Sequence, residues 1–280
     1  MELTVFLAVL AAAVMHAGWN VLVKLKLDRF LSLYLIETIM GFMGLVMLAV
    51  FPWPAAASIP YAVTSGILHV GYALFLSRAY RTGDLSQVYP IARGAAPLLT
   101  LAITSIFMHE DVTLMGSAGV AVLVLGIWAV SLMGRSALRL DGLTLFFAIG
   151  TSVFIAAYTI VDGVGARLSG QASGYTGLVF VLDALFLSVA AFVMRGPGII
   201  RAVAPYWKTG LVGACLSVGS YWIAIWAMTQ APIASVAALR ETSIFVVMLL
   251  SMRILKETVS FSRLAGAALI VAGAVMIRLG

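Results

Sequence analysis

Ten apolar segments follow one another along this chain, and short polar connections separate them. An apolar run of about 20 residues is long enough to cross the hydrocarbon core of a bilayer as a helix. Since none of the connections could hold a soluble domain, the pattern predicts an all-α membrane protein with a single integral transmembrane domain. The ten predicted helices cover approximately Leu3–Val23, Phe30–Phe51, Ile59–Ala79, Ser86–Phe107, Thr113–Leu132, Gly142–Asp162, Gly174–Met194, Trp207–Thr229, Ile233–Leu255 and Ser262–Leu279.

Composition excludes a soluble globular protein. Of the 280 residues, 63% are hydrophobic and 10% charged, and the mean hydropathy is +1.11. The single cysteine, Cys215, lies in an apolar run, so we expect neither a disulfide nor a metal cluster. The first apolar segment continues into HAGWNVLVK without an A-x-A-like end after a basic region, so no cleavable signal peptide is expected.

Basic residues concentrate in alternate connections, and the even-numbered connections carry only Arg167. Because positively charged loops stay in the cytoplasm, this alternation predicts cytoplasmic odd-numbered connections and both termini outside. A miscounted helix would reverse only part of the pattern. The net charge of +6 therefore reflects membrane topology and does not indicate nucleic-acid binding. The basic residues of the odd connections are Lys24, Lys26, Arg29, Arg78, Arg81, Arg135, Arg139, Arg195, Arg201, Lys208, Arg253, Lys256 and Arg263.

An internal repeat relates residues 67–130 to residues 215–277, with an offset of 219 − 71 = 148 early and 266 − 119 = 147 late. An odd number of helices per half forces the halves to insert in opposite orientations. We therefore predict two inverted five-helix repeats, residues 1–134 and 135–280, an arrangement typical of transporters with a substrate site near the midplane. The matching residues are Val70-Gly71 with Val218-Gly219, Ala79 with Ala227, Arg93 with Arg240, Glu110 with Glu257, Gly119 and Gly126 with Gly266 and Gly273 and, more weakly, Trp19 with Tyr158 and Glu37 with Asp183.

Two arginines in matching helices are the first candidates for a substrate site or gate. Arg93 lies between Pro90 and Pro97, which are predicted to kink the fourth helix. Arg240 occupies the corresponding place in the ninth helix, with Glu241 beside it. A guanidinium at membrane depth costs about 2.5–3.5 kcal/mol on insertion scales, so it is retained for a purpose. It could grip a substrate carboxylate, or form a structural ion pair with Glu37, Asp183 or Glu241.

Two carboxylates also match between the halves. Glu37 and Asp183 could bind a substrate ammonium, carry a coupling proton, or neutralise the arginines.

Aromatic and amide side chains cluster at comparable predicted depths, which suits a metabolite cavity with a few polar anchors. Aromatic packing between helices is the alternative explanation for each of them. Neither His16 nor His69 has a second ligand at helical spacing, so no metal site is predicted. The remaining substrate-site or gate candidates are His16, Trp19, Asn20, His69, Tyr72, Tyr89, Tyr158, Tyr221 and Trp222.

The C-terminal stretch AALRETSIFVVMLLSMRILKETVSFSRLAGAALIVAGAVMI resembles EamA-type members of the drug/metabolite transporter superfamily. Its marks are a small-residue helix, Glu257 just after it, and glycines seven residues apart in the last helix. The first half repeats this pattern at Glu110, and Trp19-Asn20 in the first helix also resemble the family. This resemblance implies ten helices in two inverted halves and transport of small metabolites, with aromatic amino-acid exporters of the YddG type as one branch.

These observations together predict a secondary transporter of the bacterial cytoplasmic membrane that exports small metabolites, above all amino acids, by alternating access. It needs no cofactor, and a monomer is expected because both halves lie in one chain. A multidrug or lipid flippase of the same superfamily is the alternative, although two buried arginines would repel a cationic drug. A membrane-embedded enzyme is not favoured, because the sequence shows no cluster of acid, base or metal-binding residues at an interface.

Overall fold

The computed structural model of the chain describes residues 1–22, 27, 29–82, 85–132, 141–255 and 261–280, and the regular structure in these ranges is entirely helical. Short 3₁₀ turns at Ala56–Ser58 and Ala204–Tyr206 precede α3 and α9. The helices are α1 (Leu3–Leu22), α2 (Arg29–Val50), α3 (Ile59–Thr82), α4 (Leu85–Phe107), α5 (Leu114–Leu132), α6 (Gly142–Leu168), α7 (Ala172–Arg195), α8 (Gly198–Val203), α9 (Trp207–Met228), α10 (Ile233–Arg240), α11 (Ser243–Leu255) and α12 (Phe261–Leu279).

Eight helices in the described ranges are long and apolar enough to cross a membrane. The apolar part of α5 is slightly shorter, at Leu114–Val130. The predicted ninth helix is not continuous, because it divides into α10 and α11 on either side of Glu241 and Thr242. The chain is thus a multi-pass helical membrane protein, in which one predicted span is broken at the position of a buried charge.

The sixth helix is longer than predicted. Hydropathy falls at Asp162, where the prediction ended the helix, yet α6 continues to Leu168. Gly163, Gly165 and Ala166 of this extension are still buried, and Ser169 caps the helix by donating its backbone N–H to the carbonyl of Gly165. The correction matters because it places Asp162 inside the bundle and not at its edge.

Helices α5 and α12 pack against each other so closely that side chains would not fit between them. A Cβ atom added to Gly126 would lie 2.7 Å from the backbone N of Ile270 and 2.8 Å from the backbone O of Gly266. The packing is equally close seven residues earlier on α5, about two helical turns away, where Gly119 faces Gly273. Because the higher number on α5 meets the lower number on α12, the two helices run antiparallel. Small residues permit such close packing in lipid.

The connections at one end of the bundle are bonded to each other. Arg167, at the end of α6, forms an ion pair with Glu110 and donates to the carbonyls of Met228 at 2.8 Å and Ala231 at 3.0 Å. Glu110 also accepts the backbone N–H of Ile233, the first residue of α10, at 3.0 Å. We call this group the Glu110–Arg167 cluster. It joins the connections that follow α4, α6 and α9.

A fourth connection belongs to the same end. The backbone N–H of Ala55 donates to the carbonyl of Ser169 at 3.0 Å. All four even-numbered connections, which the charge pattern predicts to lie outside, are therefore linked by hydrogen bonds.

Candidate functional site

A central cavity lies between helices of both halves. Ten of the fourteen predicted substrate-site or gate residues line it, and their role in binding stays a prediction. They are His16, Trp19, Glu37, His69, Tyr72, Arg93, Tyr158, Asp183, Tyr221 and Arg240.

One end of this cavity is basic. Arg93 and Arg240 line both the central cavity and a small adjoining space, which Glu241 also lines. The Arg93 Nε donates to the Glu241 carboxylate at 3.1 Å, and its terminal nitrogen contacts His16. This ion pair joins α4 to the end of α10 and is buried on both sides, with Arg93 5% and Glu241 4% exposed. Arg93 is thus held by partners within the protein.

The other arginine is held differently. Arg240 is 7% exposed, and its guanidinium lies over the Tyr221 ring at 4.9 Å from the ring centre. Its Nε is buried and has no hydrogen-bond partner within the described part of the chain. A buried donor that is left unpaired costs about 1–3 kcal/mol, more when charged, so this group is suited to receive an anion.

The backbone beside Arg240 is irregular. The N–H groups of Glu241 and Thr242 bond to carbonyls three residues back, Ala238 and Leu239, so α10 ends in a tightened turn. Arg240 occupies the last position of α10, where the negative end of the helix dipole favours a cation. A new helix, α11, then begins at Ser243. Broken helices whose ends face a cavity recur at transporter substrate sites.

The opposite end of the cavity is acidic. Glu37 on α2 and Asp183 on α7 line the central cavity and a second small adjoining space. The Glu37 Oε2 and Asp183 Oδ1 atoms are buried and accept no hydrogen bond from the described residues. The Nδ1 atom of His69 lies 3.5 Å from Asp183 Oδ1, although it also bonds to the carbonyl of Ser65 at 3.0 Å.

Aromatic rings form the wall between the two charged ends. The His69 ring stacks on Tyr158 with 4.0 Å between ring centres, and Tyr221 meets His69 edge-on at 5.8 Å. Tyr72 meets Tyr158 edge-on at 5.8 Å. The cavity thus combines an acidic end, a basic end and an aromatic wall.

Four predicted residues do not line the central cavity. Trp222 points away from it, because its indole N–H donates to Ser173 and its ring meets Phe51. Asn20 donates to the backbone carbonyl of His16, and Glu241 lies in the basic adjoining space. The side chain of Tyr89 lies outside the described residues.

The kinks predicted at Pro90 and Pro97 stay a prediction. Pro90 and Pro97 both lie inside the continuous helix α4. Pro97 lines the basic adjoining space. Neither proline interrupts the helix, and the interruption lies instead in the matching span, after Arg240.

Sequence reasoning missed one buried carboxylate. Asp162 is fully buried and accepts hydrogen bonds from the hydroxyls of Tyr175, at 3.1 Å, and Tyr221. The early end given to the sixth helix concealed it. An acid one turn after Tyr158, on the same helix face, was the signal that could have revealed it. Leu33, Met40, Ser217 and Ser220 also line the cavity.

Comparisons with known proteins agree with this architecture. The model of the EamA-like transporter family matches residues 142–279. A solved crystal structure with 17% sequence identity matches with a TM-score of 0.79 and covers 100% of this chain and 98% of that chain, which shows a shared fold. No curated protein matches the chain.

Proposed function

Because the chain belongs to the EamA-like transporter family, a family of membrane transporters in the drug/metabolite transporter superfamily, we propose that it exports amino acids, aromatic ones included. The observation that carries the proposal is the separation of charge in the central cavity. The carboxyl pair Glu37–Asp183 lies at one end, and Arg240 lies at the other with an Nε that has no hydrogen-bond partner among the described residues.

A free amino acid matches this separation of charge. Its carboxylate suits the guanidinium of Arg240, since charge-assisted hydrogen bonds are about twice as strong as neutral ones. Its ammonium suits Glu37 and Asp183, and its side chain can pack against the rings of Tyr158 and Tyr221. A cation such as a lipophilic drug would meet the acidic end but could not accept a hydrogen bond from the Arg240 Nε, which argues against the multidrug alternative.

We propose that transport occurs by alternating access between two inverted halves, residues 1–134 and 135–280. The packing of the helices supports this proposal. Most helix pairs that pack together have a counterpart pair, in which each helix is replaced by the matching helix of the other half. Helix α3 packs on α6 as α9 packs on α1, and α4 packs on α6 as α10 and α11 pack on α1. Helices α5 and α12, each the fifth of its half, pack on each other.

The Glu110–Arg167 cluster would then close the outer gate in the state described here. This assignment rests on the loop charges, which predict that the even connections and the termini lie outside the bacterial cytoplasmic membrane. Single cysteines at Glu2→Cys, His109→Cys and Arg81→Cys in a Cys215→Ala background test it. A membrane-impermeant maleimide should label the first two in intact cells, and Arg81→Cys only after lysis.

Transport in proteoliposomes tests the substrate assignment. Purified protein should take up radiolabelled amino acids saturably, and other amino acids should compete. The absence of uptake across an amino-acid panel, with folded protein, would reject the assignment. Resistance of expressing cells to toxic cations, without resistance to toxic amino-acid analogues, would favour the multidrug alternative. The elution mass of the purified protein tests the expected monomer.

A further inference from the structure

We propose that Glu37 and Asp183 jointly hold one exchangeable proton when substrate is absent, and that the substrate ammonium displaces it. The proton leaves to the cytoplasm when substrate binds there. After substrate leaves outside, the pair takes a proton from that side, so one proton enters for each molecule exported. The coupling to substrate rests on the proposed function, whereas the proton site rests on the geometry alone.

The fold brings these two carboxyl groups together through a close helix crossing. A Cβ atom on Gly41 would lie 2.4 Å from the Cβ of Ala184, the neighbour of Asp183. Gly41 is one turn from Glu37 on α2. Since the helices touch at this point, both carboxyl groups face the same two cavities and interact electrostatically.

Among the described residues, no lysine or arginine forms an ion pair with Glu37 or Asp183 that would neutralise their two negative charges. Asp183 is 3% exposed, and its Oδ1 accepts no hydrogen bond from the described residues. His69 Nδ1 is 3.5 Å away, but the same nitrogen lies closer to the carbonyl and the hydroxyl of Ser65, at 3.0 and 3.2 Å. A neutral His69 leaves the pair with two negative charges if both acids ionise. Two adjacent carboxylates removed from water do not both stay ionised, so the pair retains a proton or binds a cation.

The other titratable groups around the cavity do not take over this role. The two arginines line the basic adjoining space, and neither lines the acidic one. Asp162 is stabilised by two tyrosine hydroxyls, and Glu241 by Arg93. The groups that face the pair or the cavity beside it are His16 on α1, His69 and Tyr72 on α3, Arg93 on α4, Tyr158 and Asp162 on α6, Tyr175 on α7, Tyr221 on α9, and Arg240 and Glu241 on α10.

The acidic space and the central cavity have several lining residues in common, which gives the substrate access to the pair. Leu33, Glu37, His69, Tyr72 and Asp183 line both. An ammonium group in the central cavity can therefore reach the carboxyl pair without leaving the bundle. A proton and an ammonium both neutralise the same charge, so binding of one disfavours the other.

A substrate-free measurement tests the proton site. Infrared difference spectra of lipid-reconstituted protein, recorded as pH is raised, should show loss of a protonated carboxyl band. Glu37→Gln and Asp183→Asn should each remove that band, whereas Glu2→Gln, at an exposed acid, should retain it. Unchanged spectra in both cavity variants would overturn the proposal. Removal of the band by Asp162→Asn alone would also overturn it, because the proton would then lie on Asp162.

A transport measurement tests the coupling. A pH gradient should drive at least tenfold accumulation of substrate by the wild type, and Asp183→Asn should abolish this while retaining substrate exchange at equal pH with a raised KM. Gradient-independent transport by the wild type would overturn the coupling. No amino-acid transport together with a titrating carboxyl pair would reject the proposed substrate and support the proton site, so the two failures are distinguishable.

Discussion

Helix α4 and the broken span α10–α11 occupy corresponding places in the predicted repeat, yet they differ in an unexpected way. Helix α4 contains two prolines and is continuous, whereas α10–α11 contains none and breaks after Arg240. A proline removes one backbone hydrogen bond, and the rest of the helix can hold. The break falls instead between α10 and α11, where Arg240 lies over the Tyr221 ring and the next residue, Glu241, pairs with Arg93.

The two arginines of these matching spans differ in their hydrogen-bond partners, which indicates different roles. Arg93, on the continuous helix, is bound by Glu241 and contacts His16. Arg240, at the end of α10, has an Nε beside the cavity that finds no hydrogen-bond partner in the part of the chain that the structure describes. We infer that Arg93 holds the two halves together and that Arg240 meets the substrate. The following predictions test this division.

The largest effect is expected when the Arg93–Glu241 pair loses one member. Glu241→Leu should lower the free energy of unfolding by about 3–5 kcal/mol, because the Arg93 charge remains buried without a partner. Thermal unfolding of the purified protein measures this. The double variant Arg93→Met with Glu241→Leu should recover most of the loss, and a double variant as unstable as the single one would contradict the structural role of the pair.

Replacing Arg240 should affect transport more than stability. A hydrogen bond to a charged group contributes about 1.5–3 kcal/mol, so Arg240→Ala should reduce kcat/KM for amino acids by roughly 10- to 150-fold. The unfolding temperature should change little. Arg240→Lys serves as the matched variant and should retain the charge but lose the bidentate geometry, with intermediate transport. Equal transport loss in Arg93→Lys and Arg240→Lys would remove the distinction between the two arginines.

The start of α10 offers a smaller effect, because Glu110 binds its first N–H group. Glu110→Gln weakens the bonds to Arg167 and Ile233, and should shift the balance between open and closed outer faces by about 1–2 kcal/mol, near tenfold. Maleimide labelling of a cysteine at Ser217, in the Cys215→Ala background, should become faster from outside. Asp111→Asn, at the exposed neighbouring acid, should label at the unaltered rate.

The smallest effect is expected within α4. Since the helix already continues through Pro97, Pro97→Ala should create no new bend and should stabilise the protein by about 0.5–2 kcal/mol at most. Thermal unfolding and uptake measure the two consequences. A large loss of uptake would show that the proline, and not only the break after Arg240, belongs to the transport movement.

Sequence patterns predicted the helices closely because hydropathy and membrane thickness determine their lengths. Most predicted bounds fall within two residues of the observed ones, as for α1 and α9. The break at Glu241 was not predicted, because it depends on which groups surround the charge. Trp222 was placed on the cavity with Tyr221, but adjacent residues on a helix point about 100° apart. Asp162 was missed because a buried acid lowers the local hydropathy, and so does the end of a membrane helix. The fall in hydropathy at Asp162 was therefore read as the end of the sixth helix.

The contact between α5 and α12 has a consequence for how the protein is assembled. The face of α5 that carries Gly119 and Gly126 is complementary to α12. The two backbones approach so closely there that side chains would not fit between them. Helix α12 is synthesised after every other helix described here. During synthesis that face must therefore remain against lipid until α12 has entered the bilayer. A ribosome stalled before residue 261 would leave the first half inserted but incompletely packed, and such a chain would present its glycine face to membrane quality control.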